Sequence, residues 1–442
     1  MNTRRPRIFI GLEEIADYYA PLQAGLEELG YDAVLVTLKR HPFYGMVSGG
    51  RVPAVARIAM RAAERDARSA GHPSVLRVWW WLSARLLRLP LLLWAVARRE
   101  IFVFGFASTF FLYLELPLLK LFRRRIVYIF HGSDSRPPYI DGAVSGPDAW
   151  EDPNVVVRST RRTKRKLRLI DRWADVVVDN PLSAHLHERP IVSFQAIGTP
   201  RVPPRSTPRT SGDVLRVLHS PSHRYAKGSD AIRSAIERLQ TRSLSIELVE
   251  LSGVTHDRVI EALGDADLVV DQLYSDVALA GFASEAAAAG LPVIVGGYGR
   301  DEIDEALCGR PFPPIVFCRP DDLEKNLERL ATDEEHRREL GASARRFVER
   351  ELAPRAVAQR LIDAIGGQRP EWTFDPQRIT YIHGIGLTET AARTLVRATI
   401  EHGGAAALCV RDKPALEARL VEFAGVDESA ARSRVPEGAR SQ

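Results

Sequence analysis

Residues 217–230, VLHSPSHRYAKGSD, leave an apolar run, cross small and polar residues and enter a helical pattern at Gly228-Ser229. A strand that feeds a helix through such a loop is the repeating unit of a parallel α/β sheet. The unit recurs downstream, with strands predicted at 215–219, 246–251, 268–271 and 292–295 and helices at 229–240, 256–263 and 282–289. Residues 334–365 read as two more helices punctuated by Pro354.

The same alternation runs upstream. A strand at 7–10, a helix at 18–29 closed by Gly30 and a strand at 33–38 open a doubly wound sheet, and further strands are predicted at 101–104, 126–130, 176–178 and 191–194. Residues 143–154, with Gly, Pro and Asp, read as a surface loop. Between the halves lies TPRVPPRSTPRTSG (199–212), whose four prolines suit a semi-rigid connection. The predicted fold class is therefore α/β: two Rossmann-like domains, residues 1–200 and 211–366, with the carboxyl ends of their sheets facing a cleft. Residues 371–442 form an accessory α/β or helical tail. Its segment ITYIHGIGLTETAARTLVRATIEHGGAAALCV has two readings. One is strand, glycine turn, helix and strand; the other is a helix-hairpin-helix binding a nucleic-acid phosphate through backbone amides. The last residues are expected to fray.

Composition excludes wholesale disorder, because 45% hydrophobic and 26% charged residues are enough to build real cores. Net charge is only +5, but basic residues cluster at 158–172 and at Arg123-Arg124-Arg125. Such clusters suit phosphates, acidic lipid headgroups or nucleic acid, or form a solvated helix face. Cys308, Cys318 and Cys409 show no CxxC spacing, which fits a reducing cytoplasm and argues against structural zinc. The start, MNTRRPRIFIGLEE, has no signal-peptide pattern. No uninterrupted apolar run reaches the ~18 residues of a membrane span. The nearest approach, VWWWLSARLLRLPLLLWAV (78–96), is broken by Arg85, Arg88 and Pro90. It reads either as a helix lying in a membrane interface or as a core helix with a polar edge.

Arg224 and Lys227 place two cations at the mouth of the second sheet, where they suit a diphosphate or simply decorate a loop. Some fifty residues on, ADLVVDQLYSDVALAGFASEAAAAGLPVIV (266–295) turns from loop to helix at Gly281. The first turn, Phe282, Ala283 and Ser284, would offer free amides and the positive helix end to phosphate. Glu285 has two oxygens for two ribose hydroxyls, or else serves as a helix-start carboxylate matching the dipole.

The pairing of HRYAKG with DQL…GFASEAAAAGLPVI resembles the retaining glycosyltransferases of family 4, which have the GT-B fold. The close DEEHRRELGASARRFVERELAPRAVAQRL (333–361) is similar to that family's final helices, and LELPLLK (114–120) with VYIFHGSDSR (127–136) resembles its first half more loosely. The resemblance covers residues 5–366. It implies sugar transfer from a nucleotide-diphosphate donor to an acceptor hydroxyl, in surface polysaccharide or glycoconjugate synthesis, with no cofactor and no metal. Arg224 and Lys227 would neutralise the donor diphosphate. Gly281 to Ser284 would hold the phosphates and sugar, and Glu285 the ribose. His131 would face the donor sugar or be a structural histidine. Asp134 and Arg136 would line the acceptor side or fix their loop by an ion pair, and Gly11 would let the chain turn near the acceptor. The implied partners are the nucleotide sugar and a glycan or lipid-linked acceptor; nucleic acid is not expected. Separately, Trp79-Trp80-Trp81 and the nearby arginines would let the first domain rest on an anionic membrane at its cytoplasmic face.

The sequence departs from the family at one telling place. The family pairs two glutamates with seven residues between them, and counting back from Glu285 gives Val277, with Asp276 beside it. The three-position step from Arg224 to Lys227 is also shorter than the family's. A catalytically silent scaffold that binds nucleotide or glycan, and an epimerase of the same architecture, are the competing readings.

Overall fold

The computed structural model describes residues 4–15, 18–39, 52–69, 75–106, 108–194, 202, 214–368 and 370–427. In chain order the strands of the first half are β1 (Ile8–Glu13), β2 (Ala33–Lys39), β3 (Ile101–Gly105), β4 (Arg125–Ile129), β5 (Val176–Val178) and β6 (Ile191–Val192). Those of the second are β7 (Leu215–His219), β8 (Ile246–Glu250), β9 (Leu268–Val270), β10 (Val293–Gly296) and β11 (Val316–Cys318), and β12 (Thr373–Phe374) follows near the end. They form two sheets, ordered β12-β6-β5-β4-β3-β1-β2 and β11-β10-β9-β7-β8. Every pairing is parallel except the antiparallel addition of β12 to β6. The protein is thus α/β with two Rossmann-like sheets, each reversing strand order beside its first strand, where such sheets bind ligands.

Both sheets are covered on both faces, which is why their strands are continuous apolar runs rather than alternating ones. On one face of the first sheet Ile8, Ile10, Val103 and Val127 pack with Leu22 and Leu26 of helix Tyr19–Glu28 and with Val357 and Leu361 of helix Pro354–Gly366. On the other, Phe9, Phe102 and Phe104 meet Leu91, Leu119 and Leu167 from three further helices. In the second sheet Val217, Val270 and Ile294 pack on Ile232 and Ile236 of helix Ser229–Thr241. On its reverse, Leu218, Val269 and Val293 meet Ala283 and Ala286 of helix Gly281–Ala288 and Phe347 of helix Glu334–Glu351.

The predicted strands recur within a few residues. β1 runs on to Glu13 because β2 supplies pairing partners as far as Lys39, so Gly11 lies inside the strand opposite Val36. β11 was not expected from the sequence. The 143–154 stretch holds a short helix, Gly142–Ser145, and the start of helix Pro153–Trp173, which carries the basic run. The proline-rich connection lies outside the described residues apart from Val202, as does the end of the tail.

The tail differs most from expectation. Helices Glu389–Gly403 and Pro414–Ala424 bury Leu395, Ile400, Leu416 and Leu420 in the same core as Phe102 and Leu167, and β12 extends the first sheet. No strand forms at 379–386. Instead the glycine hairpin lies between the domains: Ile385 N–H donates to Ile140 O (3.0 Å), Gly142 N–H to Ile385 O (2.8 Å) and Gly386 N–H to Tyr274 O (2.8 Å). A Cβ at Gly384 would stand 1.8 Å from Ile140 O. The hairpin is therefore packed against protein on both sides, which removes the geometry a nucleic-acid phosphate would need.

Candidate functional site

The carboxyl edge of the second sheet is built around two neighbouring strands, β7 and β9. After β7 the chain makes a one-turn helix, Arg224–Lys227, ended by Gly228 in the left-handed region (φ 75°). A side chain at Gly228 would press on Leu273 and Tyr274 at 3.0–3.2 Å. Leu273 N–H donates to Lys227 O (3.1 Å), which locks this turn onto the loop leaving β9. His219 fixes the base of the turn: its two ring nitrogens reach Val270 O and Ser229 Oγ, each at 2.8 Å. Burial pushes its pKa down, so it stays neutral there.

Lys227 Nζ lies 2.9 Å from Asp271 Oδ1, a wholly buried carboxylate at the end of β9. Arg224 is about half exposed and pairs with Glu250 at the end of β8 (2.7 Å). Helix Gly281–Ala288 begins at the end of the β9 loop with no side-chain cap, and Ala280 before it is extended. The amides of its first turn are the ones a helix cannot satisfy internally. Ser284 turns its hydroxyl back to Ala280 O (2.7 Å), so its side chain is occupied by the helix. Glu285 is buried, and its Oε1 is 2.7 Å from Nε2 of His256, at the start of helix His256–Asp265 after β8. His256 was not singled out in the sequence, since a lone histidine opening a helix carries no spacing signal. Arg224, Lys227 and the 281–285 turn thus line one edge of one sheet, tied through the ends of β8 and β9.

Across the cleft, His131 follows β4. Its Nε2 is 2.9 Å from Tyr19 Oη, and its ring meets Tyr18 edge-on at 4.8 Å. Burial lowers its pKa, only partly opposed by Asp134, so the ring is neutral at neutral pH. Asp134 uses Oδ1 to accept from the His131 amide (2.8 Å), while burial raises its own pKa. Gly11 is required where it sits, because a Cβ there would be 2.4 Å from Val36 O; it is part of β1 rather than a turn after it.

Arg136 belongs to neither half alone. Its Nη1 donates to Asp141 (2.8 Å) and its Nε to Asp276 (2.9 Å), with Nη2 also on Asp276 and 3.3 Å from Ser183 Oγ. All three charged groups are almost fully buried. Burial alone would lower the guanidinium pKa, and the two carboxylates more than offset it. The acid beside Val277 is therefore committed to a domain-to-domain ion pair. Asn180 Nδ2 adds a bond to Asp276 O (3.1 Å). Loops from the carboxyl ends of β4 and β5 meet the loop from β9 here, so the two sheets face each other. Among the described residues, no group of three His, Cys, Asp or Glu could hold a metal ion.

With this geometry in place, residues 235–363 match the family model described as glycosyl transferase-like, which makes the second domain glycosyltransferase-like. No curated protein matches the sequence. Among solved structures the chain is similar to a sucrose-phosphate synthase from Thermosynechococcus elongatus, at 14% identity and a TM-score of 0.48, over 83% of this chain and 100% of that one. The catalytic domain of starch synthase IV from Arabidopsis thaliana, bound to ADP and acarbose, aligns at 14% identity and 0.48, over 82% and 99%. Anabaena HepE in complex with UDP-glucose aligns at 11% and 0.45, over 82% and 100%.

Proposed function

We propose that the protein transfers a sugar from a nucleotide-diphosphate donor to an acceptor hydroxyl, with retention of configuration, in glycoconjugate or surface-polysaccharide synthesis. The supporting observation is the convergence of Arg224, Lys227 and an uncapped helix start on one sheet edge, the helix lying inside the glycosyl transferase-like segment. As the sugar bond breaks, negative charge grows on the leaving phosphate, and fixed cations and amides stabilise it without a cofactor or metal. His256 holds one oxygen of Glu285, which orients the carboxylate towards a ribose. His131, neutral and hydrogen-bonded to Tyr19, faces the sugar from the first domain, with the acceptor on that side. Closure of the domains around the donor excludes water and limits its hydrolysis.

The test is release of nucleoside diphosphate from UDP-, GDP- and ADP-sugars, with and without acceptor. Arg224→Ala is the cleaner variant, because Arg224 is half exposed and Glu250 keeps its second partner, Arg233. Lys227→Ala strands the buried Asp271, so it is paired with Asp271→Asn. Turnover is expected to fall by about a hundredfold or more in the Arg224 variant, with unfolding temperature unchanged. Undiminished turnover rejects the assignment.

A second reading has a specific observation behind it. Val277 stands at the family's first glutamate, and the neighbouring Asp276 is committed to Arg136. A chain that binds nucleotide without transferring sugar would show tight nucleoside diphosphate binding and no donor consumption with any acceptor.

A further inference from the structure

Between β2 and β3, after helix Ala54–Ser69, the chain makes two successive helices, Val75–Leu86 and Arg88–Arg98, with one face on the first domain and the other uncovered. Leu91, Leu92, Ala95 and Val96 are buried in the core beneath. The opposite face presents Trp79, Trp81, Leu86 and Leu89, between 44% and 70% exposed. The loop after β3 adds Leu112 and Leu114, at 79% and 72%. Arg88 Nη1 donates to Phe110 O (3.4 Å), which joins the helix pair to that loop. The Arg88 end of the pair and this loop thus meet on the side where β3 ends, the side on which His131 follows β4.

We propose that this surface docks the first domain on an anionic lipid bilayer, with the cleft mouth beside the headgroups. The proposal rests on the transfer reading only in giving the acceptor a lipid-linked form. Charge selects the occupant. The 75–98 segment has no Asp or Glu, and its arginines include the exposed Arg77 and Arg85. The Arg85 guanidinium lies 3.8 Å from the centre of the Trp81 ring, and Arg65 lies 4.6 Å from that of Trp80. Tryptophan beside arginine, with leucine beyond, is the composition that settles at headgroup level: the rings and apolar stems enter the interface while the guanidinium groups meet phosphate. The buried inner face of helix Arg88–Arg98 holds it on the domain, and the proposed contact runs along the surface.

The experiment is co-sedimentation of the full chain with phosphatidylglycerol or phosphatidylcholine vesicles, without donor or acceptor, so it is independent of turnover. Binding to phosphatidylglycerol at low salt, weakened by added salt, is expected. The double variant Trp79→Glu/Leu86→Glu should lose binding by about tenfold or more, as should Leu112→Glu, with unchanged unfolding temperature. Failure of the native protein to bind phosphatidylglycerol at low salt overturns the proposal, as does a double variant that binds as well as the native chain. If the patch instead holds two copies together, and the double variant turns a dimer into a monomer with no vesicle binding in either, the proposal is equally overturned.

Discussion

The turn after β1 and the turn after β7 occupy the same place in their two domains and carry opposite charge. Glu13 ends β1 and Glu14 follows it, and the Glu14 carboxylate accepts from the amides of Tyr19 (2.9 Å) and Ala20 (3.1 Å), filling the start of helix Tyr19–Glu28. After β7 come Arg224 and Lys227, and in the same domain helix Gly281–Ala288 starts without any side-chain cap. A helix N-terminus attracts one anion. In the first domain the protein supplies that anion itself. On the proposed reading, the second domain leaves the start of the helix after β9 to a donor phosphate.

The largest expected effect comes from cutting the tie between the halves. Arg136→Met would leave Asp141 and Asp276 buried without their cation, at a cost of about 3–5 kcal/mol. Calorimetry should show a marked fall in unfolding temperature, and a shift within error would mean the domains do not depend on this pair. Next is charge reversal of the second turn. Arg224→Glu should weaken nucleoside diphosphate binding by about a hundredfold, ~2.7 kcal/mol, with a smaller fall in unfolding temperature from the new carboxylate beside Glu250. Smaller still, Glu14→Gln should cost about 1 kcal/mol of stability by weakening a helix cap. Its nucleotide affinity should be unchanged; a loss there would break the contrast between the two turns.

A further effect is in pH dependence, and it too belongs to the first domain. His187 is buried, which alone would lower its pKa, but its hydrogen bonds to Asp171 (2.7 Å) and Asp179 (3.2 Å) raise it to about 9. A folded value above the ordinary 6.5 gives stability that is complete below pH 6.5 and lost as pH rises through about 9. His185 is the reverse: burial lowers it to about 4, so stability is lost as pH falls from 6.5 towards 4. Unfolding temperature should peak between these windows, and His187→Gln should flatten the alkaline side.

Much of the second domain was legible in the sequence because its signals are local. The strand ending at His219, the turn at Gly228 and the helix opening at Gly281 are each written in a few adjacent residues. Partnerships across the chain were not. Asp276 stands beside the Val277 position of the family's first glutamate, and Arg136, 140 positions away, holds its carboxylate. The Glu285 partner, His256, lies on a different helix. The tail's apolar spacing announces a buried helical face without saying which sheet buries it. Leu395 and Leu420 pack back on the first domain, and the glycine hairpin before them turns out to be domain contact rather than ligand loop. Gly11 was misplaced for a related reason, since the length of β1 depends on what β2 offers beside it.

The direct measurement is a crystal structure with a nucleoside diphosphate, trying UDP, GDP and ADP in turn. The expected result is diphosphate within hydrogen-bonding reach of Arg224, Lys227 and the amides opening helix Gly281–Ala288, with the ribose on Glu285. A nucleotide seated on the first domain, or at a place touching none of these groups, would contradict the division between the two turns.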